Sequence, residues 1–129
     1  VEIGENCFIF ECNVLQYRVK IGNNVIVWSG SQISHGTWIQ DNCFISSNVA
    51  ISGECTVGKN SFIGVNSCLI DHLNLAKYTL VGAGAVVIGD TEESGIYVGN
   101  PAKRMKKSSL EIVFWNSKKN PETMIKEKP

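Results

Sequence analysis

Stepping by six from Ile3 lands on Ile9, Leu15, Ile21, Val27, Ile33, Ile39, Ile45, Ile51, Val57, Ile63, Leu69, Leu75, Val81 and Val87, and all fifteen positions are aliphatic. With about a quarter of the chain Ile, Leu or Val, such a run in one chosen phase arises by chance on the order of once in 10⁹ trials. A second series sits four places after each of the first fourteen aliphatics, from Cys7 and Asn13 through Ser31, Thr37, Cys43 and Cys55 to Thr79 and Ala85. Apart from Asn13 and Leu73 it is small or β-branched. Glycine recurs directly after the aliphatic at Gly4, Gly22, Gly58, Gly64 and Gly82, which reads as a corner whose backbone resists side chains.

A period of six suits neither an amphipathic helix nor a hairpin meander. It suits short strands, each followed by a turn, wound into a three-sided prism of 18 residues per coil. Residues 3–90 then make about five coils spaced by roughly 4.8 Å, with the aliphatic row inside. The expected fold is all-β, a parallel β-helix over residues 1–107, followed by a C-terminal extension over 108–129 that is partly disordered. Within the extension Leu110–Trp115 reads as a closing strand or short helix, and 118–129 as the disordered part.

Composition removes several function classes. Twelve basic side chains balance twelve acidic ones among 129 residues, which argues against nucleic acid as the main partner. No stretch has the ~18 apolar residues of a membrane helix, and no targeting signal is visible, so the expected location is cytoplasmic. Five cysteines without a CxxC pair write neither a disulfide framework nor a zinc ribbon, and they read as reduced thiols. Residues 1–102 carry four cationic against nine acidic side chains, and 103–129 carry eight against three. The basic tail is a solvated terminus or a site for a polyanion such as cofactor phosphates.

Two histidines are available for proton transfer. His35, two places after Ile33, faces solvent, and Gly53 lies one coil later in the same column, about 4.8 Å along the axis. A glycine there leaves its N–H approachable by the oxygen of an acyl thioester. Asp71, two coils beyond His35, reads as a surface carboxylate or a cofactor contact. His72 reads as a solvated turn residue or part of a cleft between subunits.

The hexapeptide row, with the segments ISHGTWIQDNCFIS (33–46), LVGAGAVV (80–87) and VGNPAKRM (98–105), resembles the left-handed β-helix acyltransferases, and within them the sialic acid O-acetyltransferase and amino-sugar N-acetyltransferase family. The resemblance implies left-handed coiling and an acetyl-CoA-dependent O- or N-acetyltransferase. The implied acceptor is a sugar or nucleotide-sugar destined for surface glycans. His35 matches the family's catalytic histidine, acting as general base in direct transfer, and Gly53 the amide that contacts the acetyl group. Ala83 and Gly84 fall where the family lays the pantetheine arm, and Lys103 near the adenosine phosphates. The resemblance also implies a homotrimer with its sites in the clefts between subunits, and flat faces carrying Trp28, Trp38 and Phe44 fit that expectation. No metal is expected.

Two departures stand out. The family follows its histidine with Asp or Glu, whereas Gly36 stands here, so a partner orienting the ring must come from a neighbouring coil or another subunit. The family's N-terminal α/β nucleotide-sugar-binding domain has no counterpart in these residues, which leaves the acceptor open. The competing readings are a non-catalytic β-helix scaffold and a metal-dependent hydratase of the γ-carbonic anhydrase type. The latter needs three histidines per site, and the chain has two.

Overall fold

The computed structural model describes residues 1–112. Fifteen two-residue strands, from β1 (Glu2–Ile3) and β2 (Phe8–Ile9) to β15 (Val86–Val87), follow one another every six residues. From β1 to β12 each pairs in parallel with the strand eighteen residues on, as in Glu2 with Lys20 and Ile3 with Ile21. Three sheets result, and together they form a left-handed β-helix of about five turns. The first face carries Ile3, Ile21, Ile39, Val57 and Leu75 inward, the second Ile9, Val27, Ile45, Ile63 and Val81, and the third Leu15, Ile33, Ile51, Leu69 and Val87.

The strands are this short because the chain must turn after each inward aliphatic. From Ile21 onward every member of that row is buried. In the first coil Ile3 is 49% exposed and Ile9 and Leu15 are half-buried, so the N-terminal end of the core lies open among the described residues. At the other end β16 (Ile96–Val98) extends the second face in parallel, and β17 (Lys103–Arg104) folds back antiparallel on it. The 3₁₀ turn Ser109–Glu111 then ties the end down, with the buried Ser109 hydroxyl donating to the Tyr78 carbonyl. Leu110 and Glu111 of the expected closing segment belong to this turn. Residues 113–115 of that segment, and the tail 118–129, lie outside the described residues.

The second series is small and often polar for a reason beyond space. Most of its hydroxyls and thiols donate to corner carbonyls of the next coil, as in Ser31 Oγ to Ser46 O at 2.8 Å and Thr37 Oγ1 to Ser52 O at 3.2 Å. The thiols of Cys43 and Cys55 do the same towards Gly58 O and Ile70 O. Ser67 and Thr79 donate instead to Gly64 O and Ala76 O of their own coil. Burial pushes the Cys43 thiol up to about 12 and the Cys55 thiol also upward. Both cysteines are packing residues in the neutral form.

The reading of the corner glycines needs correction. The left-handed residue of each corner stands three places after the aliphatic, not one. Asn fills it at Asn6, Asn24, Asn42, Asn48, Asn60 and Asn66, with φ between 57° and 62°. Asn tolerates this region better than most side chains because its short amide bonds locally. Gly58 and Gly64, by contrast, are required by close approach: a Cβ at residue 58 would meet the Lys77 nitrogen at 2.5 Å.

Candidate active site

At the corners from Asn24 to Gly84 the third residue after the aliphatic donates its N–H to the carbonyl of the second residue one coil back, as in Gly36 N to Tyr17 O (3.0 Å) and Glu54 N to His35 O (2.8 Å). That pattern uses the carbonyls of the second positions and leaves their N–H groups without a backbone partner. Side chains cap some of them: Asn23 Oδ1 accepts from Glu5 N, and Gln16 Oε1 accepts from His35 N. The N–H of Gly53 has neither kind of partner among the described residues.

The third corner, following the third face, stacks Tyr17, His35, Gly53 and Asp71 in one column and Arg18, Gly36, Glu54 and His72 in the next. The His35 ring leans towards the C-terminal end, over Gly53. A Cβ built there would lie 2.5 Å from Cε1 and 2.6 Å from Nε2 of the ring. The imidazole therefore occupies the space a side chain at residue 53 would take, beside a residue whose N–H is open. Asp71 continues the column, and its Oδ2 lies 3.9 Å from His72 Nε2 with both side chains exposed.

Glu54 was not among the residues singled out from sequence. Its carboxylate reaches back over Gly36, where Oε1, Cδ and Oε2 would all lie within 2.6 Å of a Cβ at that residue. Arg18, a further coil back, holds it through Nη2 at 3.2 Å from Oε1. The signal for this side-chain bridge is a long acid and a long base flanking a glycine at eighteen-residue steps.

Ala83 and Gly84 occupy a different corner, the one after the second face. The expectation that the amides of this segment stand open holds at one residue. Gly82 N donates to Tyr97 O at 2.9 Å and Gly84 N to Val65 O at 2.8 Å, because the final coil continues the same ladder. The Ala83 N–H alone has no partner among the described residues. Lys103 pairs with Val98 in β17, at the edge of the same face, and is exposed without an ion pair among the described residues. Its neighbour Arg104 is taken by Glu92 at 2.5 Å. Within one chain, then, His35, Gly53 and Asp71 form one column, while Ala83, Gly84 and Lys103 gather at the C-terminal end of another edge. Among the described residues no group of three or more His, Cys, Asp or Glu is arranged to hold a metal. No helix is long and apolar enough to cross a membrane, again among the described residues.

Residues 1–35 and 36–71 match the bacterial transferase hexapeptide model of six repeats, and the chain belongs to that family. Among solved structures it is similar to the acetyltransferase domain of PglB from Neisseria gonorrhoeae. That match has 27% identity and a TM-score of 0.79 over 81% of this chain and 51% of that one. It shares its fold with a variant of perosamine N-acetyltransferase from Caulobacter crescentus solved with CoA and GDP-perosamine (22% identity, TM-score 0.66, 82% and 58% covered). It likewise shares its fold with UDP-N-acetylglucosamine O-acyltransferase (LpxA) from Moraxella catarrhalis (24%, 0.72, 84% and 41%). The chain thus spans about half the length of these proteins. A search of curated protein sequences returns no match. The winding and the family define a domain of the hexapeptide transferase type, similar to the acetyltransferase domain of PglB.

Proposed function

We propose that this domain is an acetyl-CoA-dependent acetyltransferase acting on a hydroxyl or amine of a sugar or nucleotide-linked sugar, with His35 as general base and Gly53 as oxyanion donor. The observation that carries the reading is the imidazole filling the place of a side chain at Gly53, a residue whose N–H no protein group caps among the described residues. In the transfer step a ring nitrogen of His35 takes the acceptor's proton as the acceptor heteroatom attacks the thioester carbonyl. The Gly53 N–H donates to the oxygen that gains charge, a contact stronger in the transition state than in the ground state. Collapse breaks the carbon–sulfur bond, and the leaving thiolate takes the proton back from the imidazolium. The acyl group moves in one step between substrates, with no covalent enzyme intermediate, and the neutral, inward thiols of Cys43 and Cys55 fit that route.

The pantetheine arm is assigned to the Ala83–Gly84 corner, whose open Ala83 N–H is a donor and whose Gly84 presents no obstruction, since a Cβ there would meet nothing within 4 Å. Lys103 is assigned to the phosphates of the cofactor, and Asp71 to its edge nearest His35. The two groups lie on different corners of one prism, so a complete site calls for a second subunit and a homotrimer with three clefts. A partly exposed aromatic column supports the association: the exposed Phe10 stacks on Trp28 at 4.3 Å, and the half-buried Phe44 on Phe62 at 5.0 Å, along the second face and its corner. Domains of similar fold have been solved with acetyl coenzyme A or with CoA and GDP-perosamine, which favours a nucleotide-sugar acceptor; surface-glycan synthesis in a cytoplasmic setting is part of the same proposal.

The test is release of free CoA thiol from acetyl-CoA across a panel of nucleotide-amino sugars and sialic acid. Thermal shift with acetyl-CoA alone serves as the binding control. Stabilisation by acetyl-CoA and turnover with one acceptor class are expected. Absence of any stabilisation at hundredfold excess over a micromolar dissociation constant, where about 2.7 kcal/mol is due, overturns the reading in favour of a scaffold.

A further inference from the structure

A histidine acting as a base needs one ring nitrogen to carry a proton and the other to be free, and a hydrogen-bonding partner is what fixes that choice. Among the described residues no side chain or backbone group bonds to the His35 ring, although its backbone N–H is capped by Gln16. The nearest column supplies the missing kind of group. Gly36 has no side chain, and the carboxylate of Glu54 fills the space one would take. The His35 ring rises from its coil to lie against Gly53, while the Glu54 carboxylate descends from the following coil to lie against Gly36. Since 35 and 36 are adjacent, as are 53 and 54, the two groups pass each other in neighbouring columns between the same two coils. Their backbones are joined there by the bond from Glu54 N to His35 O at 2.8 Å.

The carboxylate is also anchored. Arg18 engages Oε1, and Oε2 accepts no hydrogen bond among the described residues. A carboxylate held at one oxygen and open at the other has the form required to accept a ring N–H.

The geometry points to Glu54 as the positioning residue for His35. It acts through the empty place at Gly36, selects the ring tautomer that leaves the second nitrogen unprotonated, and is held in place by Arg18. The inference rests on His35 being the base. In this structure neither a hydrogen bond nor an ion pair joins the carboxylate to the ring, so a side-chain rotation closes the contact; in the transfer step Glu54 then accepts a hydrogen bond and does not itself take up the proton. The other charged groups at this corner are less suited: Asp71 sits beside His72 instead, and Asp90 accepts from Asn74 N.

The experiment compares the full chain with Glu54→Gln, Glu54→Gly and the relocation variant Gly36→Asp/Glu54→Gly, with His35→Ala as reference. Relocation is sterically allowed. Arg18, Glu54 and His72 already occupy this column at φ 57° to 59°, so a side chain at residue 36 joins a tolerated set once Glu54 is cut back. Glu54→Gln is expected to lower kcat about 10- to 100-fold with little change in KM for acetyl-CoA. Relocating the carboxylate to residue 36 is expected to restore most of the loss seen in Glu54→Gly. Nitrogen-15 spectra give a reading independent of turnover. The chain has two histidines, His72→Gln assigns the signals, and His35 is expected to show one dominant tautomer in the parent and a mixture in Glu54→Gln. If His35→Ala abolishes turnover while the Glu54 variants match the parent, the inference fails and the proposed function stands. A loss in Glu54→Gly that relocation does not repair, with an unchanged tautomer, makes Glu54 structural and also overturns it. If His35→Ala keeps parental turnover, the base assignment falls first and takes this inference with it.

Discussion

The first and third corners of the prism are built from the same six-residue template and end up with opposite chemistry. At the first corner the side chains bond to each other and to the backbone. Asn6 Nδ2 donates to Asn24 Oδ1 at 2.8 Å and Asn24 Nδ2 to Asn42 Oδ1 at 3.2 Å, while Asn23 and Asp41 cap the open amides of the preceding coil. At the third corner the matching positions hold His35, Gly53, Gly36 and Glu54, and the ring, one amide and one carboxylate oxygen take no bond among the described residues. In its first coils this corner caps its open amides with side chains, whereas Asp41 N and Lys59 N further along it take no bond among the described residues. The third corner leaves donors and acceptors open at one place, which is what an acyl-transfer site needs and what a purely structural corner avoids.

Both corners hang from one wall of buried aliphatics, and that shared dependence is the first way to break the contrast. Ile39 precedes the first corner and Ile51 the third, at 0% and 1% exposure. Truncating either to Ala is expected to lower stability by the same amount, about 2–5 kcal/mol, read by urea unfolding. A large difference between them means the corners are not mechanically equivalent.

The glycines sharpen the contrast next. At Gly58 an added methyl meets backbone of the next coil, at 2.5 Å from Lys77 N, while at Gly53 it meets only the movable His35 ring. Gly58→Ala is therefore expected to lower stability by about 1–3 kcal/mol and leave the His35 site in place. Gly53→Ala is expected to reduce turnover at least tenfold while changing the melting temperature little. Circular dichroism melts beside thiol-release kinetics check both.

A smaller effect belongs to the asparagine ladder. Asn42→Ala loses a side-chain bond and places Ala at φ 62°, which is expected to cost about 1–2 kcal/mol by urea unfolding with turnover unchanged.

The smallest effect, at pH just above 9, is a pH dependence carried by the buried Cys43. Burial holds the Cys43 thiol neutral, with its titration raised from 9.0 to about 12, so unfolding releases a proton once the medium passes about 9. The folded state then binds more protons than the unfolded one, and stability falls as pH rises through the window from 9 to 12. Cys43→Ala is expected to flatten that decline in urea titrations at successive pH values.

The winding was legible because burial of one aliphatic per side imposes a strict period, and a period survives in a single sequence. The pairing of His35 with Gly53 was legible for the same reason, since eighteen residues fix a column. What escaped depends on where side chains lean once the columns exist. The sequence shows Gly36 beside His35, but not that Glu54 would bend back one coil over it while the ring leans the other way. The true left-handed position was also visible, as Asn recurring three places after the aliphatic. Glycine two places earlier drew the reading because two different constraints, backbone angle and close approach, select the same residue.

The central claim is that the third corner alone is chemical. The most direct measurement sets His35→Ala against Asn42→Ala, two substitutions in equivalent turns, in one acetyl-CoA thiol-release assay with the active acceptor. The account predicts a loss of about 10²- to 10⁴-fold for His35→Ala, with an unchanged melting temperature, and parental turnover for Asn42→Ala. Equal turnover in the two variants contradicts it.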